Sequence, residues 1–224
     1  MKPFQQIPLD LTQPESFDLS DYVVSSCNAD AVQFLELWPA SEFHFAALVG
    51  PSGSGKTHLL KGWALENGAK EISPDAGFSA VEAGGSYIID DVDQLATDGA
   101  FTYSDTFLFH VYNWAREKRA KILVSASLPP TQWSRKLPDL ISRMGAVPVV
   151  TIQQPDDDLL FALLFKLFSD RQLTVNTQVI HYLIGRMPRS FFAAGKIAKL
   201  MDGKALAERR KITKDLARRC LEEL

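Results

Sequence analysis

Residues 50–57 read Gly50-Pro51-Ser52-Gly53-Ser54-Gly55-Lys56-Thr57, a full match to G-x-x-x-x-G-K-[ST]. Glycines at this spacing let the backbone curl until successive N–H groups converge on phosphate oxygens. The same amides open a helix, whose N-terminal partial charge favours anions. Lys56 would then reach the β- and γ-phosphates of a nucleotide, and the Thr57 hydroxyl would ligate Mg2+. The bland alternative is a glycine-rich turn between a strand and a helix. Context weighs against it, because an apolar run precedes the motif and a helical face follows it. Asp90 and Asp91 close a second apolar run, SYIIDD. Alone they would be two solvated aspartates at a strand end. Beside a phosphate loop, Asp90 suits magnesium and Asp91 suits the polarising of water.

These groups need a frame. Residues 45–49 form a short apolar run that predicts a buried strand, and residues 57–66 carry Leu59, Leu60, Trp63 and Ala64 at helical spacing. Residues 86–91 and 121–125 read as further buried strands, and residues 148–152 as a last one. Between them, residues 101–119 place Phe107, Leu108, Val111, Tyr112 and Ala115 on one helical face, and residues 134–144 predict a short helix. Strands alternating with helices predict an α/β fold with a parallel sheet flanked by helices. After Pro155 the pattern becomes helical only, over residues 156–170, 176–187, 189–202 and 213–224, with Thr213 as a cap for the last. The expected organisation is an extension over 1–20, an α/β nucleotide-binding subdomain over 21–154 and a helical lid subdomain over 155–224. Residues up to about Pro39 read as irregular and acidic.

Composition narrows the function classes. The 224 residues carry 24 basic and 27 acidic side chains, a formal charge of -3, which disfavours a globally basic nucleic-acid binder. Cys27 and Cys220 make no disulfide framework and no zinc spacing. No apolar run approaches a membrane span and the N-terminus has no signal-peptide character, so a cytoplasmic protein without a membrane partner is expected. Residues 204–219 hold seven basic and two acidic side chains. They could touch DNA, but a solvated helix face is the plainer reading. His44, His110 and His181 are scattered, His58 is expected to pack behind the loop, and Trp114, Trp133, Phe161, Phe165 and Phe168 read as core.

The order of these motifs resembles the AAA+ ATPases, and within them the DnaA replication-initiator group. GPSGSGKTHLL at 50–60 includes the His58 and Leu59 that follow the loop in that group. Asp21-Tyr22-Val23-Val24 with Asn28 is similar to the segment lining the adenine pocket. LPDLISRMG at 137–145 resembles the segment bearing the arginine finger, which places that role on Arg143. PRSFF at 188–192 resembles the start of the lid helix, which places the sensor-2 role on Arg189. Ser125 and Ser127 stand at the sensor-1 position, where the group often has an acid or amide. Either they sense the γ-phosphate, or they are ordinary serines before Pro129 and Pro130.

Gln6-Ile7-Pro8-Leu9-Asp10-Leu11 resembles the peptide that docks on the bacterial sliding clamp, with Gln6 hydrogen-bonding and Ile7, Leu9 and Leu11 as apolar anchors. An irregular strand packed on the domain is the alternative. The sequence stops after the lid, where DnaA continues into a DNA-binding domain. Both features are similar to the Hda family of DnaA-related regulators. That resemblance implies bound ADP or ATP with Mg2+ and DnaA and the clamp (the polymerase III beta subunit) as partners. It also implies contact with DNA through the clamp, a possible homodimer and weak intrinsic hydrolysis. The competing functions are an autonomous ATPase that loads a helicase or binds single-stranded DNA, and an initiator fragment that assembles on DNA.

Overall fold

A computed structural model describes residues 17, 19, 22–74, 81–95, 99–208 and 211–224. Among them the chain divides into two compact units, one running from Phe17 to Gln154 and the other from Pro155 to Leu224.

The first unit is built on five parallel strands: β1 (Phe45–Val49), β2 (Lys70–Glu71), β3 (Ser86–Ile89), β4 (Lys121–Ala126) and β5 (Val149–Thr151). Their order across the sheet is β2-β3-β4-β1-β5. Every residue of β1 is buried, because helices cover both faces, as parallel sheets require. On one face Ala46, Leu48, Ile88, Leu123 and Val150 pack with α1 (Ala29–Leu37) and α2 (Lys56–Asn67). On the other, Phe45, Ala47, Val49, Ile89, Ile122 and Val124 pack with α3 (Asp105–Glu117) and α4 (Pro138–Met144). Period-2 alternation along each strand sorts these side chains between the two layers.

Local chemistry sets the helix ends. The predicted helix over 101–119 begins only at Asp105, because the Ser104 hydroxyl accepts from Phe107 N at 3.2 Å and caps it. The helix predicted over 134–144 begins at Pro138, since a residue before proline is held extended and Leu137 is (φ -79°, ψ 111°). The expectation of irregular chain up to Pro39 is corrected by α1. Ala31 and Leu35 of α1, with Trp38 beyond its end, bury one side of the segment against the sheet, and the acidic residues around them had masked that stripe.

The second unit holds α5 (Asp157–Asp170), α6 (Thr177–Ile184), α7 (Phe191–Glu208) and α8 (Lys214–Leu221) around a core of its own. Asp156, Asn176 and Thr213 cap α5, α6 and α8. Phe168 is buried in that core, Phe161 lies 5.1 Å from the His181 ring, and Phe165 is exposed. Phe165 therefore departs from the core reading: the buried stripe of α5 runs through Leu160, Leu164 and Phe168, and Phe165 sits one residue, about 100°, round the helix from Leu164. No helix among the described residues is long and apolar enough to cross a membrane.

Candidate functional site

In an all-parallel sheet the carboxyl ends of the strands share one edge. That edge collects the loop after β1, Asp90 and Asp91 after β3, and Ser125 at the end of β4. Gly53 (φ 72°) and Gly55 (φ 92°) take left-handed conformations, which glycine adopts at no steric cost. Gly50 is needed for a different reason. A Cβ there would lie 2.7 Å from the Ile152 carbonyl oxygen and 2.7 Å from Ser54 Oγ.

Lys56 is buried, and its Nζ donates to the carbonyls of Gly50 (2.9 Å) and Pro51 (3.3 Å). Among the described residues the hydrogen bonds of this buried ammonium go to neutral carbonyls, which leaves its charge suited to an anionic ligand. Ser54 is buried too, and its hydroxyl has no hydrogen-bond partner among the described residues. An orphaned hydroxyl, a buried cation and two left-handed glycines at a helix N-terminus fit a polyanionic ligand. Asp90 and the Thr57 hydroxyl supply oxygen only, the donor type that magnesium takes alongside phosphate oxygens. Among the described residues no cluster of three or more His, Cys, Asp or Glu could hold a metal unaided.

Asp91 adopts φ 48°, a left-handed conformation uncommon outside glycine, though less so for aspartate. Burial, with the Asp90 charge beside it, raises the Asp91 pKa above its ordinary value. Lys56 opposes that rise and Asp93 adds to it. A carboxyl shifted upward is a better proton acceptor near neutrality, which suits the water-polarising role.

The segment expected to line the adenine pocket is tied down by Asn28. Asn28 is buried, donates through Nδ2 to the Val23 carbonyl (3.0 Å) and accepts from Ser25 N (2.8 Å). Val23 is half-buried and Val24 is exposed. The His58 ring lies 5.6 Å from Phe17 and 5.4 Å from Tyr22. Burial pushes the Tyr22 hydroxyl up to about 12. Gly62 leaves room for Phe17 and Leu19 against α2: a Cβ there would collide with the Leu19 side chain and stand 2.9 Å from the Phe17 carbonyl oxygen. In an open helix interior, Gly→Ala gains about 1 kcal/mol. Here Gly62→Ala is expected to destabilise in urea unfolding, because part of the clash is with backbone; a gain would show that the segment does not sit tightly on α2.

Arg143 stands in the last turn of α4, half-buried, with its guanidinium 4.5 Å from the Phe109 ring centre and 5.7 Å from that of Tyr112. Among the described residues no carboxylate pairs with it. Arg189 lies ahead of α7 and forms an exposed ion pair with Asp157 at 2.7 Å. Residues 6, 7, 9 and 11 and Asp21 lie outside the described residues.

Sequence reasoning missed Arg135. Its side chain is almost wholly buried, and donates to the carbonyls of Tyr103 (2.6 Å) and Val92 (2.6 Å) and to Asp105 (3.3 Å). Its guanidinium lies 3.8 Å from the Phe101 ring centre. Asp105 also accepts from Lys136 N (2.7 Å) and Leu137 N (3.0 Å) at the foot of α4. A lone arginine in a loop has no spacing signature, so nothing in the pattern could have found it.

No family model matches the chain. The DnaA chromosomal replication initiator of Nostoc punctiforme is 25% identical over 170 residues, covering 65% of this chain and 36% of that protein. The chain thus spans about a third to a half of the length of such curated relatives. Domain III of the Thermotoga maritima DnaA replication initiation protein superposes with a TM-score of 0.77 at 15% identity, over 94% of this chain and 98% of that one. AMPPCP-bound DnaA from Aquifex aeolicus gives 0.67 at 20% identity, over 89% and 70%. The fold is that of the AAA+ P-loop domain of DnaA, with a weak sequence relationship to the initiators.

Proposed function

We propose that this chain is a nucleotide-bound regulator of replication initiation, of the kind the Hda family provides. It binds ADP or ATP through residues 50–58, with Val23 and Val24 at the base. It moors on the sliding clamp through Gln6, Ile7, Leu9 and Leu11, and presents Arg143 to ATP held by DnaA. The observation that carries this reading is Arg143, a guanidinium resting on ring faces with no described carboxylate to neutralise it. Held that way, its charge remains available to a phosphoryl group on another molecule.

Lys56 and the loop amides would bind the phosphates, with Asp90 and Thr57 holding Mg2+. A magnesium ion held by those residues would offset phosphate charge. Arg189 stays in this proposal as a nucleotide ligand, a role that requires it to leave Asp157. Mooring on the clamp raises the effective concentration at DnaA, so a weak direct contact suffices. Stimulated hydrolysis would convert DnaA to its ADP form and prevent re-initiation. The weak relationship to DnaA and the AMPPCP-bound fold relative support the nucleotide half of this reading.

Two experiments test it. Lys56→Ala should weaken ADP binding, read by calorimetric titration, by about 1.5–3 kcal/mol for a charge-assisted contact, roughly 10- to 100-fold in Kd. Equal affinity would remove Lys56 from the site. Alanine at Gln6, Leu9 and Leu11 together should abolish capture on immobilised clamp, and undiminished capture would remove the mooring. A helicase loader would instead shift single-stranded DNA in a gel without the clamp.

A further inference from the structure

We propose that Ser125 is a positioning residue for the magnesium-binding carboxylate of Asp90, and not a sensor of the γ-phosphate. This rests on the nucleotide reading and deepens it. The β3–β4 register pairs Ile89 with Val124, so the next residues along, Asp90 and Ser125, lie side by side at the sheet edge. Ser125 is wholly buried. Its hydroxyl donates to Asp90 Oδ1 and accepts from Asp91 N at 2.8 Å.

The direction of both bonds is forced. A carboxylate cannot donate and a backbone amide cannot accept, so the single hydroxyl proton belongs to the Asp90 bond. No proton remains for a phosphate oxygen or an attacking water. The Ser125 carbonyl also accepts from Val92 N at 2.9 Å. One serine therefore holds the side chain of residue 90 and the main chain of residues 91 and 92, across the point where Asp91 turns left-handed. Without the hydroxyl, Asp90 loses the bond that fixes its rotamer, and the half-buried Asp91 amide loses its acceptor.

Groups that orient a metal ligand typically cost 10–100-fold in metal affinity when removed. The test is ADP affinity by calorimetry across a magnesium series, with EDTA as the metal-free end. In Ser125→Ala the magnesium concentration giving half the metal's effect should rise about tenfold. ADP affinity in EDTA should stay within about twofold, a shift of roughly 0.4 kcal/mol. Ser125→Cys keeps the shape and a weak donor, so it should fall between the two, and it stands in if the alanine variant does not fold.

An unchanged magnesium requirement in both variants overturns the proposal. So does a loss of affinity that is equal in EDTA and magnesium, which would mean simple loosening of the loop. If the unsubstituted protein binds no ADP, or ignores magnesium, the nucleotide reading itself fails and this inference falls with it.

Discussion

Arg143→Ala is expected to reduce stimulation of DnaA hydrolysis to background while leaving ADP binding, clamp capture and folding intact. An arginine supplied in trans to a transferring phosphoryl group can be worth roughly 10³- to 10⁵-fold in rate, about 4 kcal/mol or more. Lifting the guanidinium from Phe109 and Tyr112 costs far less, because a cation on an exposed ring gains about 0.5–1 kcal/mol. The contact with DnaA can therefore outbid the resting position. For the same reason Arg143→Ala should change unfolding free energy by no more than about 1–2 kcal/mol. Arg143→Lys keeps the charge but loses the planar fork, and should not restore the rate. Stimulation that survived the alanine change would move the finger elsewhere.

Arg135→Ala is expected to destabilise the α/β unit by about 3–5 kcal/mol, the range for breaking a buried ionic network from one side. Urea unfolding is the measurement. The size follows from the partners left behind: the Tyr103 and Val92 carbonyls lose their donor inside the core, and the Phe101 ring loses its stacked guanidinium. Arg135→Lys should recover less than half of the loss, because an ammonium cannot span both carbonyls and stack as well. A change below about 1 kcal/mol, the usual size for an exposed pair, would contradict the buried network.

The same network carries a pH signature. Burial alone would raise the Asp105 carboxyl, but the Lys136 and Leu137 amides and Arg135 outweigh it and hold its pKa below the ordinary value. Stability from a depressed carboxyl is full above the unfolded pKa of about 4 and fades as pH falls through the folded one. Arg135→Ala should shrink that acid-side loss.

The sheet and the phosphate loop were legible because their signals are local: short apolar runs, and glycines at a spacing few other structures need. The adjacency of Asp90 and Ser125 was not. It depends on strand register, which the sequence pattern does not set, so Ser125 remained balanced between a sensor and an ordinary serine. Phe109 was passed over because it stands off the apolar face of α3; its place beneath Arg143 is tertiary. Gly62 carries no signal of its own in the pattern, and only the nearness of Phe17 and Leu19 accounts for it. In each case the missing information was a contact between segments distant in sequence.

The most direct measurement is ATP hydrolysis by DnaA with this chain, the clamp and primed duplex DNA, each omitted in turn. The complete mixture is expected to hydrolyse DnaA-bound ATP much faster than any mixture lacking one component. Equal rates with and without this chain, when clamp and duplex are both present, would contradict its role as the donor of Arg143.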